Sequence, residues 1–295
     1  MDISGKYGLV TGGAEGIGKV LVENLLQKGA KGVAFLDVNE TPGEETKKEF
    51  EERFPNQTIV FKKCDVSSKD QMKETFQEIV SMFGSLHIVC NNAAIVNEVT
   101  WERMFQINLN GTIYGTLLAM EHMAEGGVVI NMSSASSLVG VPTLPVFCYC
   151  ATKCAINAFS RNIALFDPTI KKKGIRINIL CPTRVIDRPP SSSQKQGPRF
   201  STNPDTHQSF AQHGDRMMKE AAKMKAGIPT QLKKAMCTIQ SVADAMVMFI
   251  ENDYNGETAM PQLEGNPILV EDCQKRFRED VLNVDYLKMM DKIQI

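Results

Sequence analysis

Short apolar runs recur along the first two thirds of the chain, and between them apolar residues fall three and four apart. Tyr7–Thr11, Val33–Asp37, Thr58–Cys64, Leu86–Asn91, Gly127–Ser134 and Ile175–Leu180 read as strands. Helical spacing follows the first of them in Ile17, Val20, Leu21 and Leu25. It recurs in Met72, Phe76, Ile79, Val80 and Phe83, a helix that Ser67 and Asp70 introduce as a capping box. A longer helix is expected from Trp101 to about Met123, and a last one near Ser241–Glu251 packs Val242, Ala245, Met246 and Phe249. Thr258–Met260 adds a candidate edge strand. Apolar strands alternating with helices imply a parallel sheet covered on both faces by right-handed crossovers, an α/β doubly wound fold of the Rossmann type.

The turn after the first strand carries chemistry as well as geometry. Residues 11–18 read Thr-Gly-Gly-Ala-Glu-Gly-Ile-Gly and open the first helix. Gly12 allows the tight turn, Gly16 removes a side chain where a backbone approaches a diphosphate, and Gly18 lets the helix pack near the sheet. The helix N-terminus then offers free N–H groups and its positive dipole end to phosphates. A Gly-rich turn without a ligand is the plainer reading, and the flanking strand and helix argue against it.

The second strand ends at Asp37, about 20 residues beyond the glycines, where an acid accepts both ribose hydroxyls and repels a 2′-phosphate. Glu15 adds negative charge nearby. Val38, Asn39 and Glu40 follow Asp37 with no arginine, so the expected cofactor is NAD.

Tyr149 and Lys153 lie four apart in an expected helix, so phenol and ammonium face one site. A free tyrosine, with a pKa near 10, is a poor base at neutral pH, and a fixed cation favours its phenolate. A Tyr-x-x-x-Lys alone says little. Its position, just after a strand and far downstream of the glycine turn, gives it weight.

Composition narrows the alternatives. The chain has 295 residues, 43% hydrophobic, a net charge of −1 and a sequence pI near 6.5. It can therefore bury a large single core, and it presents no basic field to nucleic acid. No apolar run approaches the roughly 20 residues of a membrane span, and the first residues lack a signal-peptide core. Eight cysteines without a small disulfide-scaffold spacing suggest reduced thiols and a cytoplasmic setting. No metal site is expected, because Cys148, Cys150 and Cys154 cluster while His87, His122, His207 and His213 are scattered.

Four motifs in order resemble the short-chain dehydrogenase/reductase family: the glycine turn at 11–18, Asn91-Asn92-Ala93-Ala94, Asn-Met-Ser-Ser at 131–134, and Tyr149-Cys-Ala-Thr-Lys153. The resemblance spans about residues 5–185. Within the family, the stretches 125–134, 101–108 and 64–66 look most like the 15-hydroxyprostaglandin dehydrogenases and the insect alcohol dehydrogenase relatives.

The resemblance implies that Tyr149 is the general base and that Lys153 holds the nicotinamide ribose and depresses the tyrosine pKa. It implies that a serine after the fifth strand bonds the substrate oxygen, and that Asn108 holds a water on the proton path. Gly12, Gly16, Ile17, Gly18, Asp37 and Val185 would border the cofactor, with Asp65 and Val66 at the adenine and Asn91 near the adenosine-side ribose. For the serine, family spacing of twelve intervening residues selects Ser136, whereas the strand pattern puts Ser134 at the carboxyl end of the strand. We prefer Ser134 and keep Ser136 as the alternative. Three departures stand out: Ala94 replaces a glycine, and 183–187 (Thr-Arg-Val-Ile-Asp) lacks both the family's glycine and its threonine.

One dehydrogenase domain is expected over 1–270, with a substrate lid at about 187–235 and a helical tail at 271–295. Met217, Met218, Met224 and Ile228 would give the lid an apolar wall, suiting a hydrophobic secondary alcohol or the matching ketone. The family implies a homodimer through the long fourth and fifth helices. Two competing readings stay open. One is a binding or regulatory protein of the same fold, favoured by the 183–187 departures; the other is an NADPH-linked carbonyl reductase, opposed by Asp37 and Glu15.

Overall fold

In the computed structural model, the residues described are 1–138, 146–185, 236–262 and 266–270. The expected strands form, with small changes at their ends: β1 (Tyr7–Thr11), β2 (Gly32–Asp37), β3 (Thr58–Lys63), β4 (Leu86–Asn91), β5 (Met123–Met132) and β6 (Arg176–Leu180). Two short pieces, β7 (Arg184–Val185) and β8 (Met236–Cys237), pair with each other, and β9 (Thr258–Met260) and β10 (Ile268–Leu269) complete the set. The main sheet has eight strands in the order β10-β9-β6-β5-β4-β1-β2-β3. Its strands are parallel except β10, which runs antiparallel to β9. Thr258–Met260 is therefore not an edge, because β10 covers it.

Consecutive strand residues point to opposite faces, which explains why both kinds are apolar. Val10, Phe35, Ile88 and Val128 face one core with Leu21 and Leu25 of α1 (Gly16–Gln27). Their neighbours Leu9, Leu36, Val89 and Val129 face a second core with Met72, Phe76 and Ile79.

The helix α2 spans Glu40–Arg53, and α3 spans Lys69–Phe83. The cap of α3 is Ser68, whose hydroxyl accepts from the Gln71 N–H, one residue later than expected. Ser67 is otherwise engaged, since its N–H and hydroxyl both donate to Asp65.

The long helix expected from Trp101 is interrupted. It comprises α4 (Trp101–Phe105), a π-helical segment (Gln106–Asn110) and α5 (Gly111–His122). Three more helices follow: α6 (Phe147–Phe166), α7 (Pro168–Lys173) and α8 (Ile239–Glu251), which begins two residues before the expected Ser241. Among the described residues no helix is long and apolar enough to cross a membrane. The expected lid, including Asp187, the methionines at 217, 218 and 224 and Ile228, lies outside the described residues, as does the tail at 271–295.

Candidate active site

The chain runs from β1 outward to β2 and β3, then returns to place β4 on the other side of β1. At such a switch point the loops diverge and leave a crevice beyond the carboxyl ends of the strands. A cleft of about 400 Å³ lies there, lined at one end by Gly12, Gly18 and Asp37 and at the other by Ser134, Tyr149, Lys153 and Val185. The loops after β1 and β4 are tied together. Thr11 Oγ1 accepts from the N–H groups of Asn92 and Ala93, while Asn92 Nδ2 donates to the carbonyls of Thr11 and Gly12.

Gly12 and Gly16 have φ of 65° and 59°, in the left-handed region that glycine adopts readily. At Gly18 a Cβ would lie 1.9 Å from the carbonyl oxygen of Gly12 and 2.7 Å from Asn92 Nδ2, so the helix start sits directly against the residues that follow β1 and β4. Gly18→Ala is expected to distort this turn and weaken NADH binding by about tenfold or more, near 1.4 kcal/mol. A fluorescence titration that finds wild-type affinity would contradict this account.

The first turn of α1 carries no acidic side chain, and no side-chain bond caps it from Glu15. Its N–H groups are thus open to an anion. Asp37 closes β2, where its carboxylate accepts from the N–H groups of Ala14 and Asn39 at 3.2 and 3.0 Å. Burial pushes its carboxyl above the usual range, against the lowering effect of those bonds, and Glu15 adds to the rise. At the far wall, Asp65 and Val66 also line the cleft. Asp65 pairs with Arg103, a cleft residue that sequence reasoning missed. Burial acts upward on Asp65, but Ser67 and Arg103 outweigh it and hold the carboxyl below its usual range.

At the other end, α6 presents Tyr149 and Lys153 one turn apart. Lys153 is 2% exposed; its Nζ donates to the Met132 carbonyl at 2.8 Å and lies 5.6 Å from the centre of the Tyr149 ring. Burial lowers its pKa from 10.5 to about 8. Ser134 lines the cleft two residues beyond the end of β5, and its Oγ accepts from the N–H and hydroxyl of Ser136. Ser136 is not among the lining residues. Thr183 and Val185, within the departing segment, border this end.

Two expected site residues sit behind the cleft. Asn91 is buried; its Nδ2 donates to Asn131 and Thr116, and its Oδ1 lies against Gly115, where a Cβ would be 2.0 Å away. The structure thus turns that side chain away from any ribose. Asn108, fully buried in the π-helical segment, brackets Ile95 by accepting from its N–H and donating to its carbonyl.

The open helix start, the cradle that any Cβ would fill and the acid ending β2 together fit a dinucleotide. Comparison with known proteins agrees. The short chain dehydrogenase family matches residues 6–191, and the chain belongs to it. It is 43% identical over 194 residues to the Mus musculus 15-hydroxyprostaglandin dehydrogenase (NAD+), covering 64% of this chain and 70% of that protein. It is 34% identical over 192 residues to 3beta-hydroxysteroid dehydrogenase 2 of Eggerthella lenta, covering 61% and 71%. Among solved structures, a double mutant of a Serratia marcescens short-chain dehydrogenase/reductase shares the fold. Its TM-score is 0.68 at 19% identity, covering 88% of this chain and 97% of that one.

Proposed function

We propose that this chain is an NAD-dependent dehydrogenase that oxidises a hydrophobic secondary alcohol or reduces the matching ketone, with Tyr149 as general base. One observation carries the reading. The phenol ring of Tyr149 and the buried ammonium of Lys153 meet at the end of the cleft opposite Asp37, with Ser134 beside them. The names of the 43% identical relatives supply the cofactor, and Asp37 supports it, since a carboxylate there accepts ribose hydroxyls and repels a 2′-phosphate.

Each residue has a task. The Ser134 hydroxyl donates to the substrate oxygen. The phenolate of Tyr149 takes the hydroxyl proton as the hydride leaves the same carbon, and bound NAD supplies the acceptor for that hydride. The Lys153 ammonium favours the phenolate electrostatically and donates to the nicotinamide-side ribose. The proton then leaves through Lys153 to a water. The Asn108 side chain is committed to Ile95, and its main-chain carbonyl, which accepts from the Thr112 hydroxyl at 2.7 Å, keeps a second lone pair to hold that water. Asp65, Val66 and the main chain around Ile17 border the adenine half. Ile95, Val96 and Val185 give the reacting end apolar walls, which suit a lipid-like, terpenoid or steroid alcohol.

The test is incubation of the purified protein with NAD and a panel of hydrophobic secondary alcohols, read at the absorbance of NADH. Turnover with NAD and not with NADP is expected. Tight NADH binding with no turnover of any alcohol would favour a binding protein instead, and turnover only with NADPH and ketones would favour a carbonyl reductase.

A further inference from the structure

The N-terminus of α6 lacks a local cap. Val146 holds the capping position, and valine has no side-chain oxygen to accept from the first N–H groups of the helix. The missing acceptor comes from 50 residues away. Glu98, half-buried in the segment between β4 and α4, receives the Cys148 N–H on Oε2 and the Tyr149 N–H on Oε1, both at 2.9 Å.

That segment is itself fixed at several points. Asn97 Oδ1 accepts from the N–H groups of Val99 and Thr100, and Ile95 is bracketed by Asn108. Asn108 Nδ2 also reaches Thr152 Oγ1 at 3.4 Å, and the Thr152 hydroxyl donates to the Tyr149 carbonyl at 2.7 Å. The bonds close a loop around one residue, so that side chains hold both the N–H and the C=O of Tyr149.

We propose that Glu98 is a positioning residue for the chemistry of Tyr149: its carboxylate clamps the first turn of α6 and so fixes where the phenol stands relative to Lys153 and Ser134. The inference rests on the function proposed above. A two-pronged clamp needs two acceptor oxygens on one side chain, which a carboxylate has and an amide lacks. The bonds are charge-assisted and lie at the positive end of a 20-residue helix, where a negative charge is favoured. Misplacing a reacting group by a fraction of an ångström lowers turnover while leaving remote cofactor contacts intact.

Glu98→Ala and Glu98→Gln in the full chain test the proposal by two independent readouts. The first is amide hydrogen exchange of the peptide spanning 147–153. Glu98→Ala is expected to speed it by about tenfold, with Glu98→Gln between it and wild type, while peptides from β1 and β4 keep their protection. The second is kinetics with an alcohol from the panel. We expect kcat to fall by about tenfold or more, with KM for NAD and the NADH dissociation constant within about twofold of wild type. A residue that only stabilised the fold would lower Tm without separating kcat from KM.

Unchanged exchange in Glu98→Ala overturns the clamp. Faster exchange with unchanged kcat overturns its part in the chemistry. Should wild type turn over no alcohol, the proposed function falls, and with it the catalytic half of this inference; the exchange comparison still decides the clamp alone. If Glu98→Ala does not fold, Glu98→Gln carries the same comparisons.

Discussion

Tyr149→Phe is expected to lower kcat by about a thousandfold, close to 4 kcal/mol of barrier, and to leave NADH affinity within about twofold. The substitution removes only the hydroxyl. The ring stays, so the packing of the Lys153 ammonium 5.6 Å from its centre stays too. The Glu98 bond reaches the main chain of residue 149 and is equally preserved. Loss of turnover with binding intact would thus report the proton transfer and not a collapsed site. Retention of a tenth of wild-type kcat would end the role assigned to this phenol.

Lys153→Met is expected to abolish turnover and at the same time to stabilise the fold at neutral pH. In the folded chain, burial lowers the lysine pKa from 10.5 to about 8, so the native state sheds this proton more readily than the unfolded state. Below pH 8 both states hold the proton, and keeping it in the fold costs about 3 kcal/mol. Between pH 8 and 10.5 the unfolded chain binds more protons, so stability rises with pH and the cost fades. Methionine fills a similar volume without charge, at the loss of the bond to the Met132 carbonyl, about 1 kcal/mol. Urea denaturation should therefore show the variant more stable by about 2 kcal/mol at pH 7, with the gap shrinking towards pH 10. A variant less stable than wild type at pH 7, or a gap that does not depend on pH, would refute this. Such an outcome ties the buried ammonium to function, since the fold would be better off without it.

Much of the architecture was readable because of its symmetry of burial. A strand covered on both faces must be apolar at consecutive positions, as Leu9-Val10 and Val128-Val129 are. The ends of elements were less legible. Ser67 and Ser68 are equally able to cap a helix; what separates them is Asp65, whose carboxylate takes up the first. The strand β5 ends at Met132, although the Ser133 N–H still bonds the Leu180 carbonyl of β6, and the Ser133 hydroxyl donates to the Lys153 carbonyl, a partner 20 residues away.

The same distinction applies to the cleft. Gly12, Gly18, Asp37, Tyr149 and Lys153 announce themselves by spacing, since each must stand at a fixed offset from a strand end. Glu98 and Arg103 do not. The first is joined to α6 across 50 residues, the second to Asp65 across 38, and no local pattern encodes either pairing. The one trace in the sequence is negative, an apolar Val146 where a helix wants an oxygen. Asn91 was less legible for a related reason: its motif marks the end of β4, but alternation along the strand sends its side chain under the sheet toward Gly115.

The π-helical segment at Gln106–Asn110 spends about one residue more on its turn than an α-helix would. The wide turn takes up that residue locally, so the helix beyond it keeps its heading, with Asn108 against Ile95 and Gly115 against Asn91. Deleting one position between 106 and 110 would let the turn close to regular winding and leave the notch at Gly115 in place, whereas the same deletion between 112 and 114 would swing Gly115 by about 100°. This stretch is where the chain loses a letter at the smallest geometric cost.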